Sequence, residues 1–208
     1  MKNKTLIYQM MFITLIALCI FASCTKDAVV DNSNDYLPLQ VGNYWVISWV
    51  QNSNVSTITM SIDKTENLSG TDYYWLVQTI NYPPAHYDTA YIRKTVDGKV
   101  YERGKSSSEI LKFDFSGSVG ENWSYIKDPL DTLDSRFPWK VTFQSKSDTV
   151  NRSTFTFENC YRYYYDQLQS ADEEYSWCLA PGVGFVKLTG WVSYRLTKAK
   201  INGVETVY

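Results

Sequence analysis

Apolar and polar residues alternate over short stretches along most of this chain. Ile58, Met60 and Ile62 alternate with hydroxyl-bearing residues, which is typical of a β-strand with one buried face and one face in water. After residue 38, no stretch repeats its apolar residues with the period of an amphipathic helix. Further strands are predicted at 44–50, 73–80, 89–94, 99–103, 110–115, 139–143, 154–165, 174–179 and 185–196. The pattern therefore predicts an all-β domain.

Several glycines mark turns beside these predicted strands. Asp97-Gly98 and Asn202-Gly203 are favoured in type I′ turns, which need positive φ at both central residues. The segments 41–45 and 119–123 resemble each other, because each places a glycine just before an aromatic strand. Short connections favour antiparallel neighbours. We therefore expect one domain, over 38–208, that is an antiparallel β-sandwich or a barrel-like meander.

The strands at 154–165 and 174–179 are predicted to form a hairpin centred on Gln169. This register places Tyr163 opposite Tyr175 and Cys160 opposite Cys178. Odd-numbered positions of the hairpin are apolar or aromatic, so we expect them to face the core. They are Phe155, Phe157, Tyr161, Tyr163, Tyr165, Tyr175, Trp177 and Leu179.

The N-terminal segment has the pattern of a secretory signal. Lys2 and Lys4 precede an apolar stretch at 10–22, which is shorter than the about 20 residues that span a bilayer. The residues Phe21-Ala22-Ser23-Cys24 resemble a bacterial lipobox. The resemblance implies that 1–23 is a signal peptide and that Cys24 is lipidated and attaches the chain to a membrane. An ordinary cleavable signal with an incidental cysteine is the alternative.

Residues 24–37 are rich in Asp, Asn and Ser and lack periodicity, so we interpret them as a lipidated tether. Of the four cysteines, Cys19 leaves with the signal and Cys24 takes lipid. Cys160 and Cys178 remain, opposite each other in the predicted register of an exported domain. This placement favours a disulfide, with two reduced thiols as the alternative.

The charge and the scarcity of histidine exclude several classes of function. The chain has 20 Lys plus Arg against 22 Asp plus Glu, so it has little electrostatic reason to bind nucleic acid. Its one histidine, His86, would have to be the base of any Ser-His-acid triad. We therefore predict no metal, no cofactor and no enzyme activity, and an enzyme acting on an extracellular polymer is the weaker alternative.

Two further segments resemble a group of Bacteroidetes outer-membrane lipoproteins whose activity is unknown. The segments lie at 37–45, at the entrance of the domain, and at 180–187, near its end. The resemblance implies export, a lipid anchor in the outer membrane and a β-rich domain. It leaves open whether the domain faces the periplasm or the cell surface.

Three Asp-Thr-apolar sequences resemble the acceptor of protein O-glycosylation in Bacteroidetes. Their threonines are Thr89, Thr132 and Thr149. The resemblance implies that these residues carry glycans. Asp-Thr pairs are also common in turns, where the side chains bond to the local backbone, and this is the alternative.

Aromatic residues supply the candidate binding surface. The chain contains 7 Trp, 17 Tyr and 9 Phe, and exposed Tyr and Trp bind sugars and partner proteins well. Tyr82, His86 and Tyr87 lie in a proline-containing loop, and Tyr164 lies on the predicted outer face of the hairpin. We therefore predict a non-enzymatic module that binds a glycan or another surface protein. The alternative is a carrier that holds an apolar ligand in a β cavity.

Overall fold

The structure, a computed structural model, describes residues 34–51, 54–81, 84–104, 108–127 and 136–208. Within these ranges the chain forms thirteen strands. They are β1 (Tyr44–Gln51), β2 (Asn54–Leu68), β3 (Thr71–Asn81), β4 (His86–Lys94), β5 (Lys99–Arg103), β6 (Glu109–Asp114), β7 (Asn122–Tyr125), β8 (Trp139–Arg152), β9 (Phe155–Gln167), β10 (Tyr175–Ala180), β11 (Gly184–Thr189), β12 (Ser193–Ile201) and β13 (Val204–Val207). Among the described residues, no helix has the length and apolar character needed to cross a membrane.

The strands form one antiparallel sheet made of two meanders. Strands β1 to β6 pair in chain order, and so do β7 to β12. Antiparallel pairing of β1 with β12 joins the two meanders, and β13 pairs with the C-terminal half of β12. The all-β, antiparallel fold predicted from the alternation is confirmed. Of the two expected forms, a sandwich and a barrel-like meander, the sheet takes the barrel-like one.

The free edges of the sheet, β6 and β7, approach each other and are bridged by side chains. Tyr163 donates its hydroxyl hydrogen to the carbonyl of Asp114 at 2.8 Å. Tyr165 donates to the carbonyl of Lys112 at 2.6 Å. The indole N–H of Trp123, on β7, donates to the carbonyl of Leu111 at 2.7 Å. These bonds satisfy carbonyls of β6 that lack a neighbouring strand on that side, which nearly closes the sheet into a barrel.

Both meanders begin with the same turn. The Gly42 N–H donates to the carbonyl of Ile62, and the Gly120 N–H donates to the carbonyl of Phe143, each at 2.8 Å. The two glycines have φ of 90° and 94°, a conformation that L-residues rarely adopt. The likeness of 41–45 and 119–123 therefore reflects one local structure that starts the first strand of each meander.

The inner face of the curved sheet carries the core, and its largest fully buried side chains include Trp45, Phe143, Tyr163, Tyr165 and Leu179. Three of these lie on the hairpin face that the alternation predicts to be internal. Phe155, on the same predicted face, is instead 39% exposed, because it begins β9 beside the β8–β9 turn and packs edge-on against Tyr208.

The folded domain includes residues that the sequence analysis assigned to the tether. Leu37 is fully buried in the core, and Tyr36 stacks on Tyr161 with ring centroids 3.8 Å apart. Lys94 donates to a carboxylate oxygen of Asp35 at 2.5 Å and to the carbonyl of Leu37 at 3.0 Å. The chain therefore packs onto the domain before residue 38.

Three local predictions are wrong. The strand predicted at 185–196 is two strands, β11 and β12, separated by a turn at 190–192. At Asp97-Gly98 the predicted hairpin does form, between β4 and β5, but only the glycine has positive φ, so the turn is not of type I′. The β9–β10 hairpin pairs Tyr165 with Tyr175 and Trp177 with Tyr163, two residues away from the predicted register. By contrast, Asn202-Gly203 has positive φ at both residues, as predicted.

Candidate ligand cavity

A cavity of about 440 Å³ lies within the curve of the sheet. Strands of both meanders line it, and most of the side chains of its walls are apolar or aromatic. They include Met60, Leu76, Ile92, Phe113, Trp177, Phe185 and Leu188. Alternation explains these positions, because inward-facing residues of a strand recur every second residue. The volume falls in the range of sites that hold small organic ligands.

One ion pair lies inside this largely apolar cavity. Glu102 on β5 and Lys112 on β6 both line it, with 3.5 Å between a carboxylate oxygen and Nζ. Lys112 Nζ also lies 5.5 Å from the ring centroids of both Tyr125 and Tyr165. Burial is the largest single influence and lowers the pKa of Lys112, but Glu102, Tyr125 and Tyr175 together outweigh it, so this pKa lies well above its usual value. Lys112 therefore places a positive charge against the inner wall of the cavity.

The mouth of the cavity is acidic. Asp88 on β4 lies on one side, and Asp172, Glu173 and Glu174 come from the connection between β9 and β10. Lys127 also lines the cavity. These residues approach the opening from different meanders, so the curvature of the sheet brings together charges that lie far apart in the sequence.

Trp191 is the most exposed aromatic residue at this mouth. Its side chain is 83% exposed, although it lies in the short turn between β11 and β12 rather than in a strand. The indole N–H donates to the carbonyl of Asp172 at 2.7 Å. This bond holds the ring beside the acidic connection, where one face can meet a ligand.

A second concavity of about 480 Å³ adjoins the cavity and shares Asp172, Glu174 and Trp191 with it. Tyr164, Ser176, Thr189 and Trp191 contribute to its lining. We refer to this surface as the outer groove. Tyr164 therefore lies in a concave surface beside an exposed indole, as a sugar-binding or protein-binding residue would.

The structure separates the other predicted ligand-binding residues. Tyr82 lies outside the described residues. His86 and Tyr87 are exposed at the start of β4, and neither lines the cavity or the outer groove. Their neighbour Asp88 does line the cavity mouth. The structure thus brings Tyr164, and not the predicted loop, next to a concave surface.

The predicted modification sites occupy different surroundings. Thr89 is half-buried and lines the cavity, whereas Thr149 is exposed on β8. Thr132 and the predicted lipidation residue Cys24 lie outside the described residues. Of the two threonines that the structure describes, Thr149 is thus the more accessible to a modifying enzyme.

The predicted disulfide between Cys160 and Cys178 is not formed in the structure. Both residues are buried free thiols, and Cys178 pairs with Arg162 rather than with Cys160. Arg162 in turn forms an ion pair with Asp148, which lies opposite Cys160. Burial raises the pKa of Cys160 to about 12 and also raises that of Cys178, so both thiols stay protonated and unreactive.

Sequence reasoning missed Trp191, Glu102 and Lys112. Trp191 follows a glycine within a stretch read as one strand, so Gly190-Trp191 was the available turn signal. Glu102 and Lys112 carry no signal of their own, because charged residues in short strands are usually assigned to the solvent face. In the part of the chain that the structure describes, no group of three or more His, Cys, Asp or Glu is placed to hold a metal ion.

No protein-family model matches the chain, and no curated protein sequence matches it. Among solved structures, the chain is similar to a protein of Parabacteroides distasonis that is provisionally described as a lipoprotein. That match has 15% identity and a TM-score of 0.43, and it covers 79% of this chain and 98% of the other. The chain is also similar to a protein of Bacteroides fragilis that is provisionally described as exported and as having a YmcC-like fold. Here the identity is 12% and the TM-score 0.45, with coverage of 79% and 98%.

Proposed function

We propose that this chain is an exported, lipid-anchored and non-enzymatic protein whose β domain binds a small, largely apolar ligand inside its sheet. The cavity of about 440 Å³ is the observation that carries this proposal. Protein interiors are normally packed as densely as organic crystals, with few voids larger than a water molecule. This cavity opens at a mouth, so water covers its largely apolar walls, and a ligand that displaces this water gains hydrophobic free energy.

The ionisable groups of the domain support a binding role rather than a catalytic one. His86, the one histidine of the chain, is exposed and does not line the cavity. Glu102 and Lys112 do line it, but they form an ion pair and the pKa of Lys112 lies above its usual value, so this amine is not a base tuned for catalysis at neutral pH.

Filling the cavity should abolish ligand binding. Ala90 on β4 lines the cavity, and we expect Ala90→Trp to weaken binding of the uncharged fluorescent probe N-phenyl-1-naphthylamine at least about tenfold, which corresponds to about 1.4 kcal/mol. The measurement is fluorescence titration of the soluble chain that begins at residue 32. All thirteen strands and the whole described core lie within that chain, which forms one compact unit.

The matched control for that experiment is Thr79→Trp. Thr79 is exposed on the neighbouring strand β3 and does not line the cavity, so we expect probe binding to be unchanged. Leu188→Trp fills the same cavity from the opposite meander, so the test still stands if one of the two filled variants misfolds. Circular dichroism shows whether each variant is folded. Unchanged probe affinity in both filled variants would refute a ligand site in the cavity.

The anchor rests on the sequence at Phe21-Ala22-Ser23-Cys24 and is tested in the full chain. We expect Cys24→Ser to prevent acylation, because the thiol of this cysteine is the group that receives lipid. The measurement is the intact mass of the membrane-extracted protein, together with metabolic labelling by a fatty acid. A variant that still takes up label would contradict the assignment. We further propose the outer membrane as the location, facing either the periplasm or the cell surface.

The outer groove favours a second candidate function, binding of a glycan or a partner protein. The specific observation is Trp191, which is 83% exposed and lines the groove together with Tyr164. The same filled variant separates the two functions, because Ala90 lies in the cavity and not in the groove. Retention on immobilised polysaccharide by both the unchanged chain and Ala90→Trp, without probe binding by either, would favour the outer groove.

A further inference from the structure

The cavity carries an imbalance of charge that its own residues do not compensate. Asp88, Asp172, Glu173 and Glu174 all line it, and none of them forms a salt bridge with another described residue. The Glu102–Lys112 pair inside the cavity is neutral as a unit. Lys127 thus faces four carboxylates, so the lining retains a net negative charge.

The walls of the cavity strengthen the effect of this charge on a ligand. Field lines from charges at an opening are focused by low-dielectric walls, and the walls here are formed by side chains such as Trp177, Phe185 and Leu188. A cation that enters is attracted by carboxylates on two sides of the mouth. An anion of the same size is repelled by the same groups.

Trp191 provides an independent preference for positive charge. Its indole lines the cavity mouth, is 83% exposed and is held by the bond to the Asp172 carbonyl. The face of an indole attracts a nearby cation, most strongly when the cation carries apolar substituents and is weakly hydrated. The aromatic ring and the carboxylates therefore favour the same kind of head group at the same place.

We infer that the ligand is a cationic amphiphile, with an apolar body in the cavity and an amine or quaternary ammonium group at its mouth, between Trp191 and the 172–174 connection. This inference rests on the proposed function, because it specifies the chemistry of the ligand for the same cavity. The cavity defines the site, and the acidic residues define the charge that it accepts. The positive group balances the net negative charge that the described lining residues retain.

The test uses three ligands with the same ten-carbon chain and different head groups. Decyltrimethylammonium, 1-decanol and decanoate compete with N-phenyl-1-naphthylamine for the soluble chain that begins at residue 32. We expect the cation to displace the probe at the lowest concentration and the anion at the highest, at least about tenfold apart in low salt. The difference should shrink in 1 M NaCl, where charges are screened within about 3 Å.

Variants assign the preference to the named residues. We expect Glu173→Gln combined with Glu174→Gln to lower the affinity for the cation about threefold to fivefold and to leave that for 1-decanol unchanged. Trp191→Ala should also lower the affinity for the cation and leave the affinity for 1-decanol unchanged. Glu158→Gln is the matched control, because Glu158 is exposed on β9 and does not line the cavity.

The outcomes separate this inference from the proposed function. If decanoate binds as tightly as the cation, or if the double Gln variant weakens all three ligands equally, the inference is overturned while the cavity site stands. If the probe does not bind, or if no ten-carbon ligand displaces it, the proposed function itself fails. Selective loss of cation binding in the double Gln variant and in Trp191→Ala supports the inference.

Discussion

Replacing Gly184 with alanine is expected to destabilise the domain by about 3–5 kcal/mol, from three additive causes. Gly184 has a φ of 96°, and an added Cβ would lie 2.8 Å from Nε1 of the fully buried Trp45. The left-handed backbone costs about 1–2 kcal/mol for an L-residue, and overpacking of a core costs about 1–3 kcal/mol. Displacement of Trp45 also weakens its bond to the Val183 carbonyl, which is 2.5 Å long.

Urea unfolding of Gly184→Ala and Gly203→Ala measures this effect and separates its causes. Gly203 has a φ of 84°, but an added Cβ there meets no atom within 4 Å. Gly203→Ala therefore reports the backbone cost alone, and we expect a loss of about 1 kcal/mol. Equal losses in the two variants would show that contact with Trp45 contributes nothing.

Removing the hydroxyl groups of Tyr163 and Tyr165 together is expected to cost about 2–3 kcal/mol and to loosen the free edge of the sheet. Phenylalanine at these positions keeps the rings but leaves the carbonyls of Asp114 and Lys112 without the side-chain donors that reach them in the structure. A hydrogen bond of this kind contributes about 1 kcal/mol, and a buried acceptor without a partner costs more. Relative to the unchanged protein, we expect the double variant to speed amide exchange more in β5 and β6 than in β1 and β2.

Tyr164→Phe is the control for this double variant. Tyr164 lies between the two tyrosines on β9, but it lines the outer groove, on the opposite face from the closure. Its replacement should change stability by less than about 0.5 kcal/mol, as is usual away from the core. If the double variant unfolds at the same urea concentration as Tyr164→Phe, the tyrosine hydroxyl groups do not hold the sheet closed.

Alternation predicted the buried face at most positions of the β9–β10 hairpin, Phe155 excepted, and predicted the partner of each residue poorly. The face depends only on the parity of a position, so Tyr163, Tyr165 and Leu179 are buried as expected. The partner depends on the length of the turn between β9 and β10, which the sequence does not determine. A shift of two residues preserves every face and changes every pair, and it moves Cys178 away from Cys160.

The cavity was less predictable than the sheet, because bulges interrupt the alternation there. Ile110 and Phe113 are both buried although they lie three residues apart. This spacing arises because Val100 pairs with Phe113 and Tyr101 pairs with Leu111, which leaves Lys112 as an extra residue. A bulge of this kind changes the side of the sheet to which the following side chains point, and no residue in the sequence of β6 marks its position. The approach of β4 to the 172–174 connection depends on the curvature of the whole sheet.

The pairing of β1 with β12 has a consequence for the order in which the structure can form. Tyr44 pairs with Lys200 and Ser48 with Arg195, so the first strand of the domain needs almost the last one as its neighbour. A chain that crosses a membrane from its N-terminus exposes the edge of β1 until β12 has followed. Unpaired edges of this kind promote aggregation during slow folding. The proposed export therefore predicts that secretion depends on a periplasmic chaperone that shields β1 until translocation is complete, and that depletion of such chaperones lowers the yield.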